Sequence, residues 1–217
     1  MKQYQYVCFD LDGTIVQSEF GIIKSARIAL KKMGYDADKE SDREMFKFIG
    51  PPLYNSFHDF YGMSEEEALE AVGHYRAYYG EKGLYDAPVY EGMEAVLKEL
   101  HAQGKQLFVV TSKPGNMAEK IISHFGLDRY FTAIIGPDAS ERSPKKQELL
   151  ERAITEHGIK DRQQVIMIGD RLYDIEGAKG AGVDSIGVLY GYGSLTELTE
   201  AGATYIAKTP QDLLPLL

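Results

Sequence analysis

The sequence predicts an α/β fold: a parallel sheet flanked by helices, with a helical insertion. Three observations carry this. Short apolar runs rich in β-branched and aromatic residues alternate with helical patterns along most of the chain. Each helical pattern between those runs stops at a glycine. One stretch, from about Glu19 to Gly83, breaks the alternation and holds no strand candidate.

The first strand is Tyr6-Val7-Cys8-Phe9, ended by a turn from Asp10 to Gly13. Further strands are read at Gln106–Val110, Ala133–Gly136, Val165–Ile168, Ser185–Leu189 and, shorter, Tyr205–Ala207. Their apolar residues run on without alternating, as in strands buried on both faces. Helices are expected over Met93–Leu100, Met117–Phe125, Gln147–His157 and Glu176–Ala181, with stops at Gly104, Gly126, Gly158 and Gly182. Within the insertion, Ile22, Ile23, Ala26, Ile28, Ala29, Leu30 and Met33 repeat at helical spacing. Ser64 and Glu67 form a capping box ahead of Ala68, Leu69 and Val72. Phe46-Lys47-Phe48-Ile49 runs into the loop Gly50-Pro51-Pro52, and Tyr75, Tyr78 and Tyr79 are expected to pack one helix. The expected division is a core of residues 1–16 and 88–217 and a helical domain of residues 17–87. Such an insertion is expected over the carboxyl ends of the strands, where open α/β sheets bind ligands.

Composition narrows the function. Lys and Arg number 24 and Asp and Glu 33 among 217 residues, a net charge of −9. That argues against nucleic acid or an anionic membrane as the main partner, and any anionic substrate must be held by local features. One cysteine, Cys8, allows neither an intrachain disulfide nor a thiolate zinc site. The apolar runs are too short to span a membrane, and the polar, aromatic start lacks the apolar stretch of a signal peptide. A soluble cytoplasmic protein is expected, and monomer and dimer both stay open.

Four polar features fall at strand ends. Asp10-Leu11-Asp12-Gly13-Thr14 follows the first strand. An Asx turn explains Asp12-Gly13 but not an acid directly on an apolar strand end. Thr111-Ser112-Lys113-Pro114 follows the second strand, with a hydroxyl and backbone N–H groups ahead of a helix, as in an anion site or a plain helix cap. Ser143-Pro144-Lys145-Lys146 opens another helix, where the dipole disfavours a lysine unless an anion is near. Gly169-Asp170-Arg171-Leu172-Tyr173-Asp174 follows the fourth strand, with Asp170 and Asp174 four apart on one helix face. Together Asp10, Asp12, Asp170 and Asp174 crowd negative charge at one edge of the sheet. With oxygen ligands and no nearby His or Cys, the cation that suits them is Mg²⁺. A lysine, a threonine and backbone donors beside it make a site for a phosphate and its metal, hence metal-assisted phosphoryl transfer. Gly191-Tyr192-Gly193 lacks the third glycine of a dinucleotide fingerprint and reads as a turn. Arg43, Lys47, Tyr54 and His58 are candidates for contact with the far end of the substrate.

The four motifs resemble those of the haloacid dehalogenase (HAD) superfamily of phosphatases carrying an α-helical cap. Ile49-Gly50-Pro51-Pro52-Leu53 and Val188-Leu189-Tyr190-Gly191-Tyr192-Gly193 resemble its phosphoglycolate-phosphatase-like branch. The chain departs from the pattern at Gln17, where many members carry Asp. The resemblance implies a Rossmann-like core with a cap, a small phosphorylated metabolite as partner and Mg²⁺ as cofactor. It implies that Asp10 is the nucleophile and Asp12 the general acid and base. It further implies Mg²⁺ on Asp10, the Asp12 carbonyl, Asp170 and Asp174, and phosphate on Thr111, Ser112 and a lysine. Gly50 joins the substrate-binding residues on the same ground. Phosphoglycolate and a nucleoside 5′-monophosphate are both compatible substrates. A phosphomutase on the same fold, or a binding protein without activity, are the rival readings; four intact motifs argue against the second.

The helical phase chooses between the two lysines. At about 100° per residue from Leu149, the apolar face of Leu149, Leu150, Ala153 and Ile154 centres near 70°, Lys146 falls at roughly 60° and Lys145 at roughly −40°. Lys146 is therefore expected to point inward and Lys145 outward.

Overall fold

A computed structural model describes residues 3–49, 53–138 and 144–217. The chain divides into two compact units, Met1–Gln17 with Val89–Leu217, and Ser18–Pro88.

The first unit is built on a six-stranded sheet of β1 (Tyr6–Phe9), β2 (Gln106–Val110), β3 (Ala133–Ile135), β4 (Val165–Gly169), β5 (Asp184–Val188) and β6 (Tyr205–Ala207). The order is β3-β2-β1-β4-β5-β6, and every pairing is parallel. Chain order reverses across β1 and β4, the place where such sheets open a crevice at their carboxyl ends. Register pairs Phe9 of β1 with both Val109 and Ile168, so the ends of β1, β2 and β4 lie side by side. Both faces of the sheet are buried. Cys8, Phe108, Val110 and Met167 pack with Leu149, Leu150, Ala153 and Ile154, while Val7, Phe9, Leu107, Val109, Ile166 and Ile168 on the other face are also buried. That is why the strand sequences are continuously apolar.

The helices of this unit are labelled in chain order after the four of the insertion: α5 (Met93–Ala102), α6 (Gly115–His124), α7 (Lys146–Glu156), α8 (Leu172–Gly180) and α9 (Leu195–Ala201). The helix expected from Glu176 begins four residues earlier, at Leu172. Its first turn carries Tyr173 and Asp174, which hide the apolar period, and its N-cap is Arg171 rather than an acid.

The second unit holds α1 (Glu19–Lys32), α2 (Asp42–Met45), α3 (Leu53–Tyr61) and α4 (Glu65–Glu81), with no strand among the described residues. The Ser64–Glu67 capping box forms at the start of α4, and a second joins Ser41 to Glu44 at α2. Tyr75 and Tyr79 are buried and stack at 5.3 Å between ring centroids. No helix among the described residues is long and apolar enough to cross a membrane.

Candidate active site

Asp10 is the first residue past β1, and its backbone N–H donates to the Ile168 carbonyl of β4 at 2.8 Å. The two strand ends are thereby tied together, which brings Asp10 beside Asp170. Asp10, Asp170 and Asp174 each offer a carboxylate oxygen within 4.8 Å of the others. Asp170 and Asp174 are buried.

One cation sits among them. Lys146 Nζ lies 2.8 Å from Asp10 Oδ1 and 2.8 Å from Asp174 Oδ1, and donates to the Val110 carbonyl at 3.0 Å. Its side chain is only 3% exposed. Lys145 is the N-cap of α7 and is exposed, so the helical phase orients the two lysines as expected. Two glycines make room: a Cβ on Gly169 would lie 2.2 Å from Asp174 Cγ, and one on Gly177 would lie 2.7 Å from Lys146 Cβ. The Asp174 carboxylate also accepts from the Arg171 N–H through Oδ2 at 3.1 Å, so it caps α8 while facing the lysine.

Asp12 faces a different cation. Its Oδ2 lies 2.8 Å from Lys113 Nζ, while its Oδ1 is buried and has no hydrogen-bond partner among the described residues. Lys113 lies in the Thr-Ser-Lys-Pro motif, and its position two past Thr111 is the signal the sequence offers for it. Thr111 is buried, and its hydroxyl accepts from the Lys113 N–H at 3.1 Å. The N-cap of α6 is Pro114, so neither Thr111 nor Ser112 caps that helix, and the helix-cap reading of this motif does not hold. Ser112 is exposed. Gly50, with Pro51, Pro52 and Ser143, lies outside the described residues.

Three of the four candidates in the insertion already have partners within it. Lys47 Nζ pairs with Glu40 at 2.5 Å and lies 4.4 Å from the Tyr61 ring centroid. Tyr54 stacks on His58 at 5.7 Å, and Arg43 is exposed.

Burial governs the electrostatics. It pushes Asp10 up to about 6 against the pull of Lys146, with Asp174 and Asp12 adding to the rise. Burial, then the charges of Asp174 and Asp10, pushes Asp170 well above the carboxylate range. Burial opposes the charge on Lys146, yet Asp10 and Asp174 hold it above the ordinary lysine value. Burial pushes the Cys8 thiol up to about 12, which leaves it inert as a nucleophile. Ionised together, the three acids would carry more negative charge than the buried lysine offsets, which, on top of burial, is why Asp10 and Asp170 hold their protons so far up. Asp170 Oδ1 is buried without a hydrogen-bond partner among the described residues. Three carboxylates, one with an unpaired oxygen, fit a hard divalent cation. The sequence reading also missed a contact on the far side of Asp170: its Oδ2 accepts from the Tyr192 N–H at 2.8 Å.

Comparison with known proteins agrees with this geometry. Residues 7–188 match the family model described as haloacid dehalogenase-like hydrolase. The chain is 41% identical over 196 residues to a 5′-nucleotidase of Pseudomonas aeruginosa, covering 90% of this chain and 87% of that one. It is 27% identical to a phosphoglycolate phosphatase of Vibrio parahaemolyticus, covering 100% and 97%. A solved structure from Clostridium difficile is 41% identical and superposes with a TM-score of 0.95 over 100% of both chains. The parallel sheet, the acids at its carboxyl edge and the match over most of the length lead to one conclusion: the chain belongs to the haloacid dehalogenase-like hydrolases.

Proposed function

We propose that this chain is a Mg²⁺-dependent phosphatase that hydrolyses a small phosphomonoester through an aspartyl phosphate on Asp10. The observation that carries the reading is Lys146 Nζ at 2.8 Å from both Asp10 and Asp174, with Asp170 completing the group of acids. A lysine buried among three acids balances charge for a reaction in which a carboxylate attacks a phosphate.

Asp10 attacks phosphorus, and the bond to the leaving oxygen breaks as Asp12 gives that oxygen a proton. Water then attacks the aspartyl phosphate, Asp12 takes its proton, and inorganic phosphate leaves with Asp10 restored. Lys146, Thr111 and the Ser112 N–H stabilise the phosphoryl oxygens. Asp10, the Asp12 carbonyl, Asp170 and Asp174 would hold Mg²⁺, which when bound would supply Lewis-acid neutralisation of phosphoryl charge.

Hydrolysis of p-nitrophenyl phosphate tests the reading. Turnover is expected with Mg²⁺ and not with EDTA. Full turnover in chelator contradicts the metal-dependent mechanism.

A nucleoside 5′-monophosphate is the substrate class favoured by similarity, because the relative named 5′-nucleotidase is 41% identical and the one named phosphoglycolate phosphatase 27%. A panel of both classes is expected to give the higher kcat/KM for nucleoside monophosphates. The opposite ranking returns the substrate to phosphoglycolate.

A further inference from the structure

We propose that the bend after β5, Gly191-Tyr192-Gly193, is a positioning element for Asp170 and sets the metal affinity of the site. The proposal rests on the reading of the acids as a metal site. The sequence reads this segment as a turn; in the structure its backbone packs against one residue, Asp170, at both its main chain and its side chain.

The groups that close on Asp170 are mostly main chain. The Tyr192 N–H donates to Asp170 Oδ2 at 2.8 Å. A Cβ on Gly191 would lie 2.3 Å from Asp170 Cβ and 2.3 Å from the Gly13 carbonyl oxygen. One on Gly193 would lie 1.9 Å from the Asp170 carbonyl oxygen. Gly13 approaches from the β1 turn with φ +81°, and its Cβ would lie 2.3 Å from Asp170 Oδ2. Atoms do not pack this closely, so no side chain fits at these three positions while Asp170 stays where it is. Two separate loops have given up side chains around the same acid.

The consequence lies in the orientation of the carboxylate. One oxygen is fixed by a backbone donor. The other, Oδ1, is buried and has no hydrogen-bond partner among the described residues. An acid placed only for packing gains nothing from an unpaired oxygen, because an unmet buried acceptor is costly. An acid held by one oxygen and presenting the other is arranged as metal ligands are, with an outer donor fixing the inner ligand. The N–H of Tyr192 and the absent side chains of Gly191 and Gly193 are that outer shell.

The test measures Mg²⁺ binding directly, by calorimetric titration of the metal-free protein, alongside its melting temperature in EDTA. Gly191→Ala forces Asp170 aside. Replacing the Gly191–Tyr192 amide by an ester, with the α-hydroxy analogue of tyrosine at 192, exchanges the N–H donor for an ester oxygen and keeps every side chain. Both are expected to weaken the Kd for Mg²⁺ about tenfold or more, the usual cost of losing an outer-shell partner. A wild-type Kd in both variants overturns the proposal even where the melting temperature falls, because the bend is then packing alone. If Gly191→Ala does not fold, the ester variant decides by the same criterion. A wild-type chain that binds no Mg²⁺ removes the metal site itself, and this proposal with it.

Discussion

The two edges of the parallel sheet treat buried polar groups differently. At the amino edge, Tyr4 Oη donates to Asp184 Oδ2 at 2.7 Å, and Lys105 Nζ donates to the carbonyls of Tyr4 and Leu217 at 2.7 and 2.9 Å. Donors there meet acceptors, and an acid meets a neutral hydroxyl. At the carboxyl edge, Asp10, Asp170 and Asp174 cluster around one lysine that pairs with Asp10 and Asp174, and Asp12 Oδ1, Thr14 Oγ1 and Asp170 Oδ1 are buried without hydrogen-bond partners among the described residues. The same sheet supports both edges, so the shortfall at one of them is not a limit of the fold. Stability alone would select the first arrangement; the second makes physical sense only with a ligand that supplies positive charge.

Removing the attacking group breaks the contrast most strongly. Asp10→Asn is expected to retain less than about 1% of wild-type turnover while the protein stays folded, since losing a nucleophile costs several orders of magnitude. Circular dichroism and steady-state kinetics on the same sample check this, and greater activity excludes Asp10 as nucleophile.

The lysines give the next effect. Lys146→Ala is expected to lower kcat/KM by about a hundredfold or more, and exposed Lys145→Ala by less than about tenfold, on the scale of a lost charge-stabilising donor. The reverse order reassigns the lysine and leaves the acids in place.

A pH titration of stability sharpens the comparison. The folded-state value of Asp10 is raised from 3.8 to about 6, so its contribution is fully present below the unfolded value and is lost as pH rises through the folded one. Asp170, raised further, extends that loss upward. In EDTA, urea midpoints are therefore expected to fall as pH rises from 3.8 through about 6 and to keep falling above that as Asp170 ionises, and Mg²⁺ is expected to offset the fall by binding the ionised acids. A flat metal-free profile contradicts the raised carboxyls.

The smallest effect belongs to the amino edge. Tyr4→Phe strips the donor from Asp184 and is expected to cost about 1 kcal/mol of stability with kcat/KM unchanged. Lost activity with unchanged stability breaks the division of labour between the edges.

The sequence revealed some of this more readily than the rest. The six strands are legible because each is a continuous apolar run, and their ends fall within a residue or so of the runs read from composition. The start of α8 is not, because Tyr173 and Asp174 replace the apolar period at its first turn. Helix α9 and the 3₁₀ segment Pro210–Leu216 leave no clear signal in the sequence, being short and only partly apolar. In the site, Asp10 and Asp170 stand out as acids on apolar strand ends, with Asp174 four residues past Asp170, and the inward face of Lys146 follows from helical phase. The pairing of Lys113 with Asp12 depends on how two loops meet, which no spacing encodes. The Tyr192 N–H on Asp170 is a backbone donor, identical in every residue but proline, and only the flanking glycines hinted at it.

The central claim is that Asp10 carries the phosphoryl group. Mixing the protein with p-nitrophenyl phosphate and Mg²⁺, quenching in acid and reducing with borohydride converts an aspartyl phosphate to homoserine, which peptide mass spectrometry locates. The account predicts homoserine at position 10, formed with Mg²⁺ and absent in EDTA. Continued phosphate release with no reduced residue at position 10, or with one at another acid, would contradict it.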